Sequence, residues 1–249
     1  MNSRVITTAR RKIEFGHRTL VMGIINVTPD SFYDGGAYKS TDDAICQAMR
    51  MVDDGADMID IGGESTRPGS LPVPIDFELD RVIPVIEGLA CKVDVPISVD
   101  TTKAEVARQA ILSGAEIVND ISAMNFDPLM AKTVARAKAA VVLMHMRGTP
   151  RDMQTGDLRY HDIIAEITSF FQERIIAAKT EGIADDQIIL DIGLGFGKTR
   201  EDNLKLLKNL AAFKSLSRPI LTGVSRKSFT MSFHREPAAE RFEGTAAAV

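Results

Sequence analysis

From residue 21 onwards, short apolar runs alternate along the chain with longer segments whose apolar residues recur every three or four positions. A short apolar run between turn formers predicts a strand buried on both faces, and the three-and-four spacing predicts an amphipathic helix. Strands are predicted at residues 21–25, 58–62, 95–100, within 114–121, and at 139–145, 188–191 and 219–224. Helices are predicted at residues 41–54, 77–90, 103–113, 163–180 and 204–213.

Strands separated by helices must run parallel, because a crossover of this length returns the chain in its original direction. Seven such steps predict an α/β fold, a TIM (β/α)8 barrel, as a single domain over residues 1–249 with an N-terminal hairpin at about residues 3–20. After Arg226 only a predicted helix at 237–249 follows, so the eighth strand and helix are expected to be missing from this sequence. We therefore expect the natural protein to continue about 30 residues past Val249, since seven strands leave unpaired edges.

Composition and charge narrow the possible partners. A net charge of −4, 6% aromatic residues and no Trp offer neither a basic surface nor a stacking platform for nucleic acid. No apolar run approaches the roughly 20 residues of a membrane span, and the N-terminus lacks a signal-peptide core. We expect a cytoplasmic protein with no nucleic-acid or membrane partner, in which Cys46 and Cys91 are small core residues.

Three polar residues stand at the carboxyl ends of predicted strands: Asp100, Asn119 and Asp191. Parallel strands present these ends at one mouth of a barrel, so the three side chains are expected to converge. Two carboxylates and an amide are costly to bury without partners, which favours a donor-rich ligand such as a flat heterocycle with an amino–imino edge. The alternative is that they cap neighbouring helices and loops.

A second group of polar residues directly follows two other predicted strands and comprises Thr66, Arg67, Arg226 and Lys227. Cations beside loop N–H groups suit a phosphate or diphosphate, and Asn26 could supply a neutral oxygen to Mg²⁺. The alternative is that these are solvated loop cations.

Two further features near strand ends have less direct interpretations. His145 ends a strand and is predicted to be hydrogen-bonded within the barrel wall rather than catalytic. The glycines of segment 193–198 fit neither the phosphate-binding loop nor the dinucleotide fingerprint. We expect them to let the backbone approach a ligand, with Phe196 lying over it.

Seven short motifs, in this order, resemble the signatures of the dihydropteroate synthase family, and the match runs from about residue 20 to the end of the chain. They are GIINVTPDSF at 23–32, GGESTRPG at 62–69, SVDT at 98–101, NDIS at 119–122, MHMRGTP at 144–150, GFGK at 195–198 and SRKS at 225–228. The resemblance implies a TIM-barrel transferase of folate biosynthesis, acting as a homodimer. It would join 4-aminobenzoate to (7,8-dihydropterin-6-yl)methyl diphosphate and release diphosphate.

The same resemblance assigns roles to residues of this chain. Asp100, Asn119 and Asp191 would hold the pterin, and Asn26 would help position Mg²⁺ on the diphosphate. Catalytic roles fall to Lys227, which would bridge the two substrate pockets, and to Arg67. Thr66 and Lys227 would also contact the pterin diphosphate. The aminobenzoate pocket, where sulfonamides would compete, would be lined by Thr66, Pro68, Phe196 and Ser228.

Two departures from the family pattern are visible. Ile192 stands where the family usually has proline, and the Arg-x-His pair of the family's last strand has no counterpart here. Two rival interpretations remain. A methyl-transferring pterin barrel would share the Asp and Asn set but would give no reason for the motifs at 23–32 and 225–228. A non-catalytic pterin-binding protein would bind pterin without releasing diphosphate.

Overall fold

Strands and helices alternate along the chain in the computed structural model, which describes residues 4–28, 41–230, 237 and 241–248. The strands in this part of the chain are β1 (Arg4–Thr7), β2 (Lys12–Phe15), β3 (Met22–Asn26), β4 (Met58–Gly62), β5 (Ile97–Asp100), β6 (Ile117–Asp120), β7 (Ala140–Met144), β8 (Ile188–Asp191) and β9 (Ile220–Leu221). The strands β3 to β9 form one parallel sheet in chain order. The predicted α/β class with seven parallel strands is therefore confirmed.

The first six described helices lie between successive strands of this sheet, and the seventh follows β9. They are α1 (Thr41–Asp53), α2 (Ile75–Ala90), α3 (Ala104–Ser113), α4 (Met130–Ala137), α5 (Ile163–Thr180), α6 (Arg200–Lys208) and α7 (Phe242–Ala248), with 3₁₀ turns at Asp185–Gln187, Leu210–Leu216 and Ser228–Thr230. Within the described residues, no helix has the length and apolar character needed to cross a bilayer.

The residues that cap the helices explain why one predicted pair of helix bounds is correct and another is wrong. The predicted helix at 163–180 is exact, because the Asp162 side chain accepts hydrogen bonds from the first-turn N–H groups of Ile164 and Ala165. The predicted helix at 204–213 is wrong at both ends. Thr199 and Asp202 form a capping box that starts α6 earlier, and α6 ends before a separate 3₁₀ turn. The short helix α4 was not predicted.

The sheet buries a different cluster on each face. Its outer face packs against the helices through the larger apolar cluster, which includes Ile59, Val99 and Leu143. Its inner face carries a smaller cluster, and the N-terminal hairpin of β1 and β2 packs into it. The members of the inner cluster are Ile6, Met58, Ile117, Ala140, Val142 and Ile189.

Polar contacts fix the hairpin against the amino ends of the strands. The Thr8 hydroxyl donates to Glu116 Oε2 at 2.7 Å, and the Arg11 guanidinium pairs with Glu116 Oε1 at 2.8 Å. Arg10 donates to the carbonyl oxygen of Gly114. The hairpin therefore covers the amino end of the sheet interior, and polar side chains of the inner face are left to meet at the carboxyl end.

Among the described residues β3 and β9 are the edge strands, as the count of seven strands predicts, but the burial of the first strand and the length of the last differ from the prediction. The strand predicted at 21–25 was expected to be buried on both faces, but Val21 and Ile24 are 54% and 49% exposed. The reason is that β3 is an edge strand, and no described strand pairs with its outer side or with that of β9. The strand predicted at 219–224 is only two residues long, at Ile220–Leu221.

The prediction that both cysteines are core residues is wrong. Cys46 and Cys91 are exposed. Cys46 lies off the buried face of α1, which is formed by Ala44, Ile45 and Ala48, and Cys91 follows the last residue of α2. Three-residue and four-residue spacing identifies a helix, but a small residue beside the apolar stripe can face solvent.

Candidate functional site

A row of polar groups crosses four neighbouring strands at the carboxyl end of the sheet. In the strand register, Asn26 is opposite Gly62, Gly62 is opposite Asp100, and Asp100 is opposite Asn119. A side chain at Gly62 would place its Cβ 3.4 Å from Asn26 Oδ1 and 3.6 Å from Asp100 Oδ2. The space beside Gly62 is therefore bordered by oxygen atoms of both side chains, at ordinary contact distance.

Asp60 lies beneath this row and joins it to β8. It is 2% exposed, and its Oδ2 accepts a hydrogen bond from Asn119 Nδ2 at 3.0 Å. Its charge acts on both Asp100 and Asp191, which places the three carboxyl groups in one cluster. Sequence reasoning missed Asp60, although a carboxylate inside an apolar strand, two residues before Gly62, is a usable signal because it shares the face of that glycine.

Burial makes these carboxyl groups hold their protons more tightly than they would in water. The pKa of Asp100 is raised well above its usual value, first by desolvation and then by the charges of Asp60 and Glu78. Desolvation also raises the pKa of Asp60 and of Asp191, although Lys227 opposes the shift at Asp191. A ligand that donates hydrogen bonds to the carboxylates would offset this cost.

Lys227 lies between Asp191 and the loop after β8. Its Nζ donates to the carbonyl oxygen of Leu194 and lies 4.7 Å from the centre of the Phe196 ring. Burial lowers the pKa of Lys227, while the charge of Asp191 raises it. A Cβ at Gly195 would stand 3.2 Å from Lys227 Cδ, so the glycine leaves room for the lysine stem.

The loop after β8 is held by a second lysine that sequence analysis did not single out. Lys198 is 3% exposed, and its Nζ donates to the carbonyl oxygens of His145, Gly193 and Phe196 at 3.1, 2.8 and 2.9 Å. Burial lowers its pKa to about 7. The loop also binds Asp191, whose Oδ1 accepts from the N–H of Gly193 at 2.8 Å.

The first glycine of the loop after β8 stands where two backbone segments approach each other closely. Gly193 has a φ of +63°, and a Cβ there would lie 1.9 Å from the carbonyl oxygen of His145. Any larger residue would separate the ends of β7 and β8. Gly193 thus serves a contact within the protein, and the approach of a ligand to this loop beneath Phe196 stays a prediction.

His145 lies in the wall of the sheet, where its ring contacts Phe170 edge-on at 4.9 Å between centroids. Burial, aided by the charges of Lys198 and Arg147, lowers its pKa to about 2, so the imidazole is neutral. Its Nδ1 has no hydrogen-bond partner among the described residues. The predicted position in the wall is correct, and among the described residues the expected side-chain hydrogen bond is not made by Nδ1.

An ion-paired group anchors the loop after β4, which carries Thr66, Arg67 and Pro68. The Lys103 ammonium donates to both Glu64 and Glu78, and Glu64 Oε2 also accepts from the N–H of Val73 at 3.1 Å. Both ends of the loop are thereby tied to the ends of β4 and β5. Thr66 is half-buried, whereas Arg67 and Pro68 are exposed on the rim.

The predicted site residues fall into three places. Asp100, Asn119 and Asp191 surround Asp60, while Phe196 and Lys227 lie together beside Asp191. The rim holds Asn26, Thr66, Arg67, Pro68, Arg226 and Ser228, all exposed except for the half-buried Thr66. Of the motif at 23–32, residues 29–32 lie outside the described part of the chain.

Comparisons with known proteins agree with this geometry. Residues 22–249 match the family described as pterin binding enzyme. Dihydropteroate synthase of Synechocystis sp. is 49% identical over 235 residues, which cover 94% of this chain and 81% of that protein.

Two solved structures of Xanthomonas albilineans dihydropteroate synthase are also similar. The structure with 4-aminobenzoic acid shares 43% identity at a TM-score of 0.91, covering 99% of this chain and 88% of that one. The complex with 7,8-dihydropteroate shares 40% identity at a TM-score of 0.85, covering 98% and 87%. The predicted TIM-barrel class and the resemblance seen in the sequence motifs are thereby confirmed.

Replacing Asp100 by asparagine should stabilise the ligand-free protein. A carboxyl group whose pKa is raised in the folded state favours folding fully only below its unfolded pKa, and that contribution is lost as the pH rises through the folded value. Asp100→Asn cannot ionise, so it avoids this loss of stability at high pH. Its melting temperature at pH 8 should therefore exceed that of the wild type, by roughly 2–4 °C for each kcal/mol of unfolding free energy gained. The difference should shrink towards pH 4.

The control for this measurement is Asp94→Asn, which changes an exposed aspartate in the turn before β5. Its free energy of unfolding should stay within about 0.5 kcal/mol of the wild type at both pH values. An Asp100→Asn protein that melts at or below the wild-type temperature at pH 8 would show that burying this carboxylate carries no net cost.

Proposed function

This chain belongs to the pterin binding enzyme family, and we propose that it acts as a dihydropteroate synthase. The reaction condenses 4-aminobenzoate with (7,8-dihydropterin-6-yl)methyl diphosphate to give 7,8-dihydropteroate and diphosphate. The observation that carries the proposal is the cluster of acceptors at the ends of β5, β6 and β8, of which Asp191 is buried and Asp100 and Asn119 are half-buried, with Lys227 beside it.

The pterin ring suits the acceptor cluster. Its amino and ring N–H groups present several donors in one plane, and carboxylates accept such donors in charge-assisted hydrogen bonds worth about 1.5–3 kcal/mol each. Asp100 and Asp191 would accept from these groups on two sides of the ring, and Asn119 would accept through its amide oxygen. Hydrogen bonds to the ring would thus offset part of the free-energy cost of desolvating the carboxylates.

The diphosphate would lie towards the rim, where Thr66, Arg67 and Lys227 can contact it. We include Mg²⁺ in the proposal, with Asn26 as its protein ligand. Among the described residues no group of three or more His, Cys, Asp or Glu side chains could hold a metal ion. A single amide oxygen fits an ion that takes its other ligands from phosphate oxygens and water, and such an ion would neutralise charge on the leaving diphosphate.

The aminobenzoate pocket would be formed on the other side of Lys227. Phe196, whose ring lies beside the lysine ammonium, would cover the flat face of the aromatic ring. Thr66, Pro68 and Ser228 would complete the pocket from the two rim loops. Lys227 then stands between the two substrates, close to the atoms that must react.

The proposed chemistry needs no nucleophile from the protein. The bond between the pterin methylene carbon and the diphosphate oxygen breaks, and its electron pair leaves with the diphosphate. The arylamine nitrogen attacks the methylene carbon and then loses a proton to water. Lys227 and Arg67 stabilise the charge that develops on the departing group, an electrostatic effect that is large in a site shielded from water.

Two rival functions stand against this proposal, and two further predictions concern the oligomeric state and the location of the protein. A methyl-transferring barrel or a non-catalytic pterin binder would share the acceptor cluster, and neither would release diphosphate. A homodimeric state and a cytoplasmic location stay predictions drawn from the sequence.

A diphosphate-release assay separates these functions. The protein is given the pterin diphosphate and Mg²⁺, with and without 4-aminobenzoate, and the products are identified by mass. Dihydropteroate and diphosphate should appear in equal amounts and only when both substrates are present. Pterin binding without release of diphosphate would favour the non-catalytic rival and would contradict the proposal.

Lys227→Met should lower turnover far more than it lowers stability. The substitution keeps the stem beside Gly195 and removes the ammonium from the reacting centre, so we expect turnover to fall by about 10²-fold or more. Lys205→Met, which changes an exposed lysine of α6, serves as the control and should retain full turnover. If Lys227→Met loses its fold together with its activity, the role of Lys227 is structural.

A further inference from the structure

We propose that Asp60 is a positioning residue that fixes the amide of Asn119 with its oxygen towards the pterin, so that this part of the site accepts only hydrogen-bond donors. The inference rests on the proposed function for the identity of the ligand. Asp60 itself is 2% exposed and lies beneath the row of residues that faces the ligand. It would act through Asn119 and would not touch the substrate.

The orientation follows from a single contact. Asn119 Nδ2 donates to Asp60 Oδ2 at 3.0 Å. The amide is planar and trigonal, so with Nδ2 turned to Asp60 the oxygen Oδ1 faces away from it. Asn119 is half-buried, next to Asp100 in the strand register, and the exposed part of its amide belongs to the same mouth.

The reversed amide would be unfavourable while Asp60 is ionised. It would place Asn119 Oδ1 against the Asp60 carboxylate, where two acceptors would meet and neither would have a donor. Without Asp60, either orientation of the amide could face the ligand. An asparagine that can turn accepts ligands with donors or with acceptors, whereas the fixed one discriminates between them.

The position of Asp60 also makes a purely structural role a weaker explanation. Asp60 Oδ1 and the neighbouring Ser98 Oγ are both buried; the Ser98 hydroxyl lowers the pKa of Asp60, but neither atom has a partner within normal hydrogen-bond geometry among the described residues. A carboxylate kept only to tie β4 to β6 would be expected to use both of its oxygens. Here one oxygen orients Asn119, and the buried charge remains as a cost to stability.

An exchange of the two side chains tests the inference. Asn119→Asp alone sets two carboxylates about 3 Å apart, and like charges at that distance are strongly unfavourable, so affinity for 6-hydroxymethylpterin should fall by about tenfold to a hundredfold. The double variant Asp60→Asn/Asn119→Asp restores one donor between the pair and leaves a carboxylate oxygen for the ligand. Its affinity should return to within about threefold of the wild type.

The matched control is Asn119→Asp combined with Glu105→Gln. This protein has the same formal charge as the exchanged pair, but residue 105 lies on the exposed face of α3. It should bind the pterin as weakly as Asn119→Asp alone. Calorimetric titration at pH 8 gives the affinities, and melting curves record whether each variant is folded.

The outcomes separate this inference from the proposed function. If the wild type does not bind 6-hydroxymethylpterin, the proposed function is wrong. Two results would show that Asp60 does not orient Asn119 in a wild type that binds the pterin. One is an exchanged pair whose pterin affinity is as low as that of the control, and the other is an Asn119→Asp protein that binds like the wild type.

A second comparison applies if Asn119→Asp does not fold. Asp60→Ala should weaken pterin binding several-fold when Asn119 is present and should have no effect in an Asn119→Ala protein, because its action passes through that residue. An equal loss in both backgrounds would mean that Asp60 shapes the site by another route, and the inference would be overturned.

Discussion

Burial of carboxyl groups inside a parallel sheet is the constraint on which the rest of this structure depends. Asp60, Asp100 and Asp191 are held at or just beneath the carboxyl ends of β4, β5 and β8, and desolvation raises the pKa of each. Such a cluster costs stability in the empty protein and becomes favourable when a donor-rich ligand enters. The cluster thus lowers the stability of the ligand-free protein and makes the site complementary to its ligand.

Cations lie on two sides of this charge and leave the space between them for the ligand. Lys227 is close enough to Asp191 to oppose the rise of its pKa, and Lys198 holds the loop after β8 through three carbonyl oxygens. On the opposite side, Lys103 joins Glu64 to Glu78 at the base of the loop that carries Thr66. Fixed charges of this kind need little reorganisation when charge develops during the reaction.

The sequence predicted the parallel sheet and the places of Asp100, Asn119 and Asp191, because apolar strand runs and polar strand ends are local patterns. It did not predict Asp60, whose partner Asn119 lies far away along the chain, or Lys198, which joins its own loop to the distant His145. The unpaired edges followed from the count of seven strands, but the exposure of Val21 and Ile24 did not, since an apolar run cannot show that it forms an edge strand. Roles for individual residues came from the family motifs, because a role depends on the ligand and not on the fold alone.

The most direct test of the central claim is the number of protons exchanged when a pterin binds. Titration calorimetry with an analogue that does not itself titrate between about pH 5 and 8, repeated in buffers of different ionisation enthalpy, gives this number. If ligand donors stabilise ionised carboxylates whose pKa is raised by burial, binding should release protons, and the release should decline as the pH rises. Proton uptake, or no exchange at any pH in this range, would contradict the account.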